Sequence, residues 1–160
     1  MKTLYILRHA KSSWAIEGID DSDRPLNKKG INDAYHKAQI LASKKVSIDL
    51  LITSHAFRAI TTAIIIAKQL NYLFDRMVIN PQMYGTDVKT TLQILENVNS
   101  NVTSLMMVGH NTTLTEFSNC LTHDKIEEIP TSGLVCIEFD SVDWRNLGKG
   151  TIKYVEFSKT

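Results

Sequence analysis

The apolar run Leu4-Tyr5-Ile6-Leu7 stops on Arg8-His9, and a second run, Leu105-Met106-Met107-Val108, stops on Gly109-His110-Asn111. Imidazoles at the ends of two candidate buried strands suit chemistry on an anion, because a neutral ring can attack while a protonated one holds charge. Arg8 adjoins His9, and Arg58 follows Ser54 in what should be the first turn of a helix. A cation there opposes the positive end of the helix dipole unless an anion lies between them. Guanidinium groups present planar forks of donors matched to phosphate. Two arginines and two histidines on one rim describe a phosphoryl site, with Ser54, Arg24 and Asn111 as further candidates for contact with substrate. His9, beside Arg8, is the first candidate for the nucleophile and His110 for the charge-steadying cation, but the residue types leave that order open. A zinc site would need HxH, HExxH or a close carboxylate partner, none of which the histidines have.

These residues share a rim only if the elements before them are strands of one sheet. Thr3–Leu7, Asp49–Thr53 and Ser104–Val108 are compact apolar runs fit for strands covered on both faces. Between them the apolar spacing turns to threes and fours. Ile31, Ala34, Tyr35, Ala38 and Leu41 mark one helix face, and Ala59, Ala63, Ile66, Ala67 and Leu70 mark a second. A short strand over Arg76–Ile79 precedes a helix through Val88, Thr91, Leu95 and Val98 that Thr86 or Asp87 could cap. A further helix points Leu114, Phe117 and Leu121 inward, and Thr113 and Glu116 have capping-box spacing. Leu134–Phe139 and Thr151–Phe157 read as edge or antiparallel strands. Strand–helix alternation predicts a three-layer α/β/α sandwich with a mostly parallel central sheet. In such sheets ligands lie beyond the C-terminal strand ends, where Arg8-His9, Ser54, Arg58 and His110 would meet.

The 160 residues are expected to form a single domain, large enough to bury roughly two thirds of its unfolded surface. Eighteen basic residues against seventeen acidic ones provide no general field for nucleic acid or an anionic membrane. No apolar stretch approaches the ~20 residues of a membrane span, and no secretory cleavage site follows Met1. Cys120 and Cys136 have neither CxxC pairing nor zinc spacing. Two free thiols and a cytoplasmic location are therefore the expectation.

The motifs also resemble a known family. Leu7-Arg8-His9-Ala10 resembles the Arg-His-Gly signature of the histidine phosphatase superfamily, with Ala in the Gly position. The stretch Arg8 to Trp14, followed by Asp23-Arg24-Pro25-Leu26-Asn27-Lys28-Lys29-Gly30, is similar to its small SixA-type phosphohistidine phosphatase branch. Thr53 to Ala63 resembles the family's Ser-Ser-Pro-x-x-Arg-Ala-x-x-Thr-Ala segment, with Ser54 kept and His55 where proline is usual. Val108-Gly109-His110-Asn111 matches the second-histidine motif. The resemblance implies a phosphoglycerate mutase-like fold without a cap domain, and a metal-independent phosphatase with no cofactor. It also implies that His9 becomes phosphorylated, that Arg8, Arg58 and His110 surround the phosphoryl group, and that water then hydrolyses the phosphoenzyme. His55 is expected as a surface residue at a helix start, Trp14 as part of the loop after the nucleophile, and Asp23 as a partner that orients Arg24.

The leaving group is the remaining question. An alkoxide needs a proton in the transition state, yet Asn80 to Asp87 contains no glutamate. Asp87, its one acid, is better explained as a helix N-terminal residue. Imidazole departs more easily, and the short rim loops Ala10–Leu26, Pro81–Thr86 and Leu121–Gly133 leave room for a side chain presented by another protein. The leading expectation is hydrolysis of phosphohistidine on a protein. The alternatives are a small-molecule phosphomonoesterase with Asp87 or a loop carboxylate as acid and a non-catalytic phosphate- or phosphoprotein-binding module.

Overall fold

The computed structural model describes residues 1–157. Its six strands are β1 (Lys2–Arg8), β2 (Leu50–Thr53), β3 (Val78–Ile79), β4 (Ser104–Gly109), β5 (Leu134–Phe139) and β6 (Thr151–Glu156), and they form one sheet in the order β3-β2-β4-β1-β5-β6. β3, β2, β4 and β1 pair in parallel; β5 pairs antiparallel with β1, and β6 antiparallel with β5. The four principal helices are α1 (Lys28–Ser43), α2 (Phe57–Gln69), α3 (Val88–Glu96) and α4 (Thr113–Leu121).

Alternation along the strands produces two cores. Tyr5 and Leu7 face one side of β1, where they join Ala34, Ala38 and Leu41 of α1 and Ala59, Ala63 and Ile66 of α2. Leu4 and Ile6 face the other, against Leu95 of α3 and Leu114, Phe117 and Leu121 of α4. The result is the three-layer α/β/α sandwich with a mostly parallel sheet that the sequence pattern predicts.

Three details differ from expectation. In α1 the inward face carries Gly30, Asp33, Ala34, Lys37, Ala38 and Leu41, whereas Ile31 and Tyr35 are exposed. Small residues turn inward because α1 packs on the alanine-rich face of α2, and the two larger side chains are displaced to its margin. Lys37 is buried in their place, its ammonium donating to the Glu156 carbonyl at 2.6 Å. The capping box at α4 does not form: Thr112 is the N-cap without a side-chain bond, and the Thr113 hydroxyl donates to the Thr86 carbonyl instead. β3 is also only two residues long, with both side chains exposed at the sheet edge. At the start of α1, Asn27 accepts the Gly30 amide at 2.7 Å.

Candidate active site

Strand register assembles the site. Thr53 pairs with Val108 and Arg8 with Gly109, so β2, β4 and β1 end at one level. The ladder continues one residue further: the His9 amide donates to the Gly109 carbonyl at 3.1 Å, and the Ser54 amide to the Val108 carbonyl at 3.0 Å. The loop before β5 closes the other flank, with the Ser132 amide on the His9 carbonyl at 3.1 Å. His9 and His110 thus stand with ring centroids 5.1 Å apart.

The His9 ring is held in one tautomer. Its Nδ1 lies 2.6 Å from the Ala10 carbonyl, which can only accept, so Nδ1 carries the proton and Nε2 keeps its lone pair. Arg58 Nε points at that Nε2 from 3.4 Å. Burial, reinforced by Arg58, Arg8 and Arg24 and partly opposed by the Ala10 carbonyl, lowers the His9 pKa to about 4. His110 is lowered to about 3, by burial first and then by His9 and Arg58. Both shifts favour the neutral ring at pH 7. His110 Nε2 meets the Ser54 hydroxyl at 2.8 Å, and its Nδ1 is buried without a protein partner.

The arginines are oriented by different means. Arg8 donates to the Ile129 carbonyl at 2.9 Å and lies 3.8 Å from the exposed Glu128 carboxylate, while its buried Nε has no protein partner. Arg58, on the first turn of α2, turns both terminal nitrogens to Asp21: one donates to its carbonyl at 2.7 Å, the other to its carboxylate at 3.0 Å. The anion that the helix-start position of Arg58 demands is therefore present in the chain itself. Asp21 also accepts from the Tyr84 hydroxyl and from Arg24 Nε at 2.9 Å. Those bonds, Tyr84 first and then Arg24 and Arg58, hold its carboxyl far below the usual carboxylate range. Asp21 and Tyr84 escape sequence reasoning because neither follows a strand nor fits a periodic pattern.

Other expected residues divide between the cleft and its supports. Arg8, His9, Arg24, Arg58, His110 and Asn111 line an open cleft of about 280 Å³, with Trp14 and Thr131 at its edge. Arg24 is buried, bonded to Asp21, Ser12 and the Ser13 carbonyl, and stacked 3.5 Å from the Trp14 ring. Asp21 therefore takes the orienting place expected of Asp23. The Asn111 amide is engaged at both ends, donating to Ile129 and accepting from Thr115. Ser54 is fully buried, and its hydroxyl serves the Ala56 amide and His110, behind the cleft surface. Asp87 caps α3 by accepting the Thr90 amide at 2.8 Å, a bond that lowers its pKa and so favours the ionised carboxylate, which has no proton to donate. His55 is exposed, edge-on to Tyr84. Both cysteines are free thiols, Cys120 exposed and Cys136 buried. Among the described residues no three His, Cys, Asp or Glu side chains converge as a metal site, and no helix is long and apolar enough to cross a membrane.

The family model of the histidine phosphatase superfamily (branch 1) matches residues 4–83. An uncharacterized protein of Mycobacterium tuberculosis is 28% identical over 94% of this chain and 98% of its own length. Among solved structures, one from Agrobacterium tumefaciens, assigned as the phosphohistidine phosphatase SixA, is 27% identical with a TM-score of 0.85, covering 97% of each chain. A protein histidine phosphatase SixA complexed with tungstate shares the fold, with a TM-score of 0.82 at 23% identity over 96% of this chain and 95% of that one. Two histidines and two arginines at the ends of β1, β2 and β4 thus sit on a scaffold already matched in sequence and shape, and the chain belongs to the histidine phosphatase superfamily (branch 1), in its SixA-like group of phosphatases.

Proposed function

We propose that the chain hydrolyses the phosphoryl group of phosphorylated histidine on a protein, through a phosphohistidine formed at His9. The observation that carries this reading is the pairing of a prepared His9 with a cleft whose described lining residues include no carboxylate. Nε2 of His9 is unprotonated and faces an open cleft. Asp87, the acid the sequence offers, is occupied as a helix cap, and Asp21, beside Arg58, is held in its ionised form by Tyr84, Arg24 and Arg58. An alkoxide would leave such a site poorly, whereas imidazole leaves without the acid.

In the first step His9 Nε2 attacks phosphorus and the bond to the substrate nitrogen breaks, its electron pair returning to the departing ring. Arg8, through its unpartnered Nε, and Arg58, through Nε, hold the equatorial oxygens. The incoming dianion opposes the burial and the nearby Arg58 and Arg8 that keep His110 neutral, so His110 can take up a proton and steady the transferring charge. Water then attacks the phosphoenzyme, and His9 leaves as neutral imidazole with Nδ1–H still on the Ala10 carbonyl. Ser54 positions His110, and Arg24 and Asn111 hold the rim. No metal or organic cofactor enters these steps, and a cytoplasmic phosphohistidine protein is the proposed partner.

The test compares phosphate release from a phosphohistidine protein with release from a panel of phosphate esters. A higher kcat/KM on the phosphohistidine protein is expected. Faster turnover of the esters would replace this reading with that of a small-molecule phosphomonoesterase, and no turnover of either would indicate a binding module.

A further inference from the structure

Asp21 is an ionised carboxylate held beside the phosphoryl-binding arginine of a site that must bind a dianion. Such a group repels the phosphoryl oxygens, so its presence calls for a second use. Its side chain is 47% exposed while that of Arg58 is 7% exposed, so the carboxylate stays accessible from solvent although the guanidinium it engages is buried in the cleft lining. Three hydrogen bonds reach its two oxygens, from Arg24, Arg58 and Tyr84, and a carboxylate offers about four acceptor positions.

We propose that the open acceptor position of Asp21 receives the distal ring N–H of the substrate's phosphoimidazole, making Asp21 a residue that selects phosphorus–nitrogen over phosphorus–oxygen bonds. This rests on the phosphohistidine reading above. A phosphoimidazole protonated on its distal nitrogen departs as neutral imidazole, while the unprotonated form must depart as imidazolate, a far stronger base. His9 faces the same requirement when it is itself the leaving group, and it meets it with the Ala10 carbonyl at 2.6 Å from Nδ1. Asp21 supplies the equivalent acceptor to the substrate ring.

The balance of the step is simple. His9 Nε2 forms the new bond to phosphorus, the old P–N pair returns to the departing ring, the distal proton stays on that ring, and Asp21 remains ionised throughout. The charged and titratable groups facing Asp21 are Arg24 on its own loop, Arg58 from α2 and Tyr84 from the loop after β3, with His9 and His110 beyond Arg58. Asp20 and Asp23 flank it in the chain.

The experiment measures kcat/KM of the wild type and Asp21→Asn on two substrates: a histidine peptide phosphorylated with phosphoramidate, and p-nitrophenyl phosphate, whose leaving group needs no proton. Asparagine keeps the shape but loses the charge that stabilises the protonated ring. The ratio of the two activities should fall by about tenfold to a hundredfold, the range for a hydrogen bond to a charged group. The alkaline limb of the single-turnover rate at saturating peptide should also move to lower pH in Asp21→Asn. Tyr84→Phe, which leaves the carboxylate and its bond to Arg58 in place, should keep the wild-type ratio. Equal losses on both substrates with an unmoved alkaline limb would overturn the proposal and leave Asp21 as a support for Arg58. If the wild type itself does not favour the phosphohistidine peptide, the phosphohistidine reading fails first, and with it the proposal for Asp21.

Discussion

An imidazole attacks phosphorus only through a nitrogen with a free lone pair, and in His9 the Ala10 carbonyl decides which nitrogen that is. Burial and the three nearby guanidinium groups then keep the ring unprotonated down to about pH 4. The kcat/KM profile, which reports the free enzyme, should therefore stay level through pH 5 to 6 once substrate ionisation is corrected for, and fall near pH 4. A fall centred at the ordinary imidazole value of about 6.5 would contradict this assignment. The shared rim of Arg8, His9, Arg58 and His110 was legible in the sequence because each ends or follows a strand or opens a helix. Asp21 was not. It sits in a short 3-10 turn, Asp21–Asp23, and is located by bonds to Arg24 at the end of that turn and to Tyr84 and Arg58 from two distant segments. Its acidic neighbours in sequence gave no sign of which one would turn inward. The same blindness applies to Ser54, whose type and position suggested substrate contact although its hydroxyl points to the support of His110.

At the scale of elements, the nucleophile loop depends on how closely α1 approaches it. A Cβ at Gly30 would overlap the Lys11 carbonyl oxygen, a backbone atom that cannot swing aside. That carbonyl also accepts the Asn27 amide at 3.0 Å, which ties the start of α1 to the chain just beyond His9. Gly30→Ala should cost roughly 1–3 kcal/mol, as overpacking does, and should lower activity by displacing Lys11 and Ser12 beneath Arg24. Denaturant titration and kcat/KM check the two effects together, and a fully stable, fully active variant would contradict the close-packed junction. The strands and helices themselves were legible from apolar spacing, and the antiparallel β5 and β6 from their late, separate placement, although of the two only β6 lies at the sheet edge. The rotation of α1 was hidden because a helix that packs on alanines can bury Lys37 and Asp33 while leaving Ile31 and Tyr35 outside, the reverse of what hydrophobicity alone ranks. The absent capping box at α4 has a similar origin, since Thr113 finds a tertiary partner in the Thr86 carbonyl.

For the molecule as a whole, the site imposes a pH dependence on stability. His9 and His110 have folded pKa values of about 4 and about 3, below the ordinary 6.5, so between those limits the unfolded chain binds more protons than the folded one. Stability then rises with pH across that window and is lost as pH falls from about 6.5 toward 3. Urea titrations at pH 7 and pH 5 should show the folded state weakened at pH 5, and His110→Asn should reduce the difference; an identical pH dependence in the variant would contradict the buried neutral ring. The cleft is also open to solvent among the described residues, and under the proposed function a side chain presented by another protein reaches His9 through it. The most direct test of the proposed chemistry is a rapid-quench experiment in which the enzyme, in excess, meets a protein carrying labelled phosphohistidine. The label should pass to His9 at Nε2 as an acid-labile adduct before it appears as inorganic phosphate, and His9→Ala should show neither adduct nor release. Release of phosphate at an undiminished rate in His9→Ala, or label on any residue other than His9, would contradict the account.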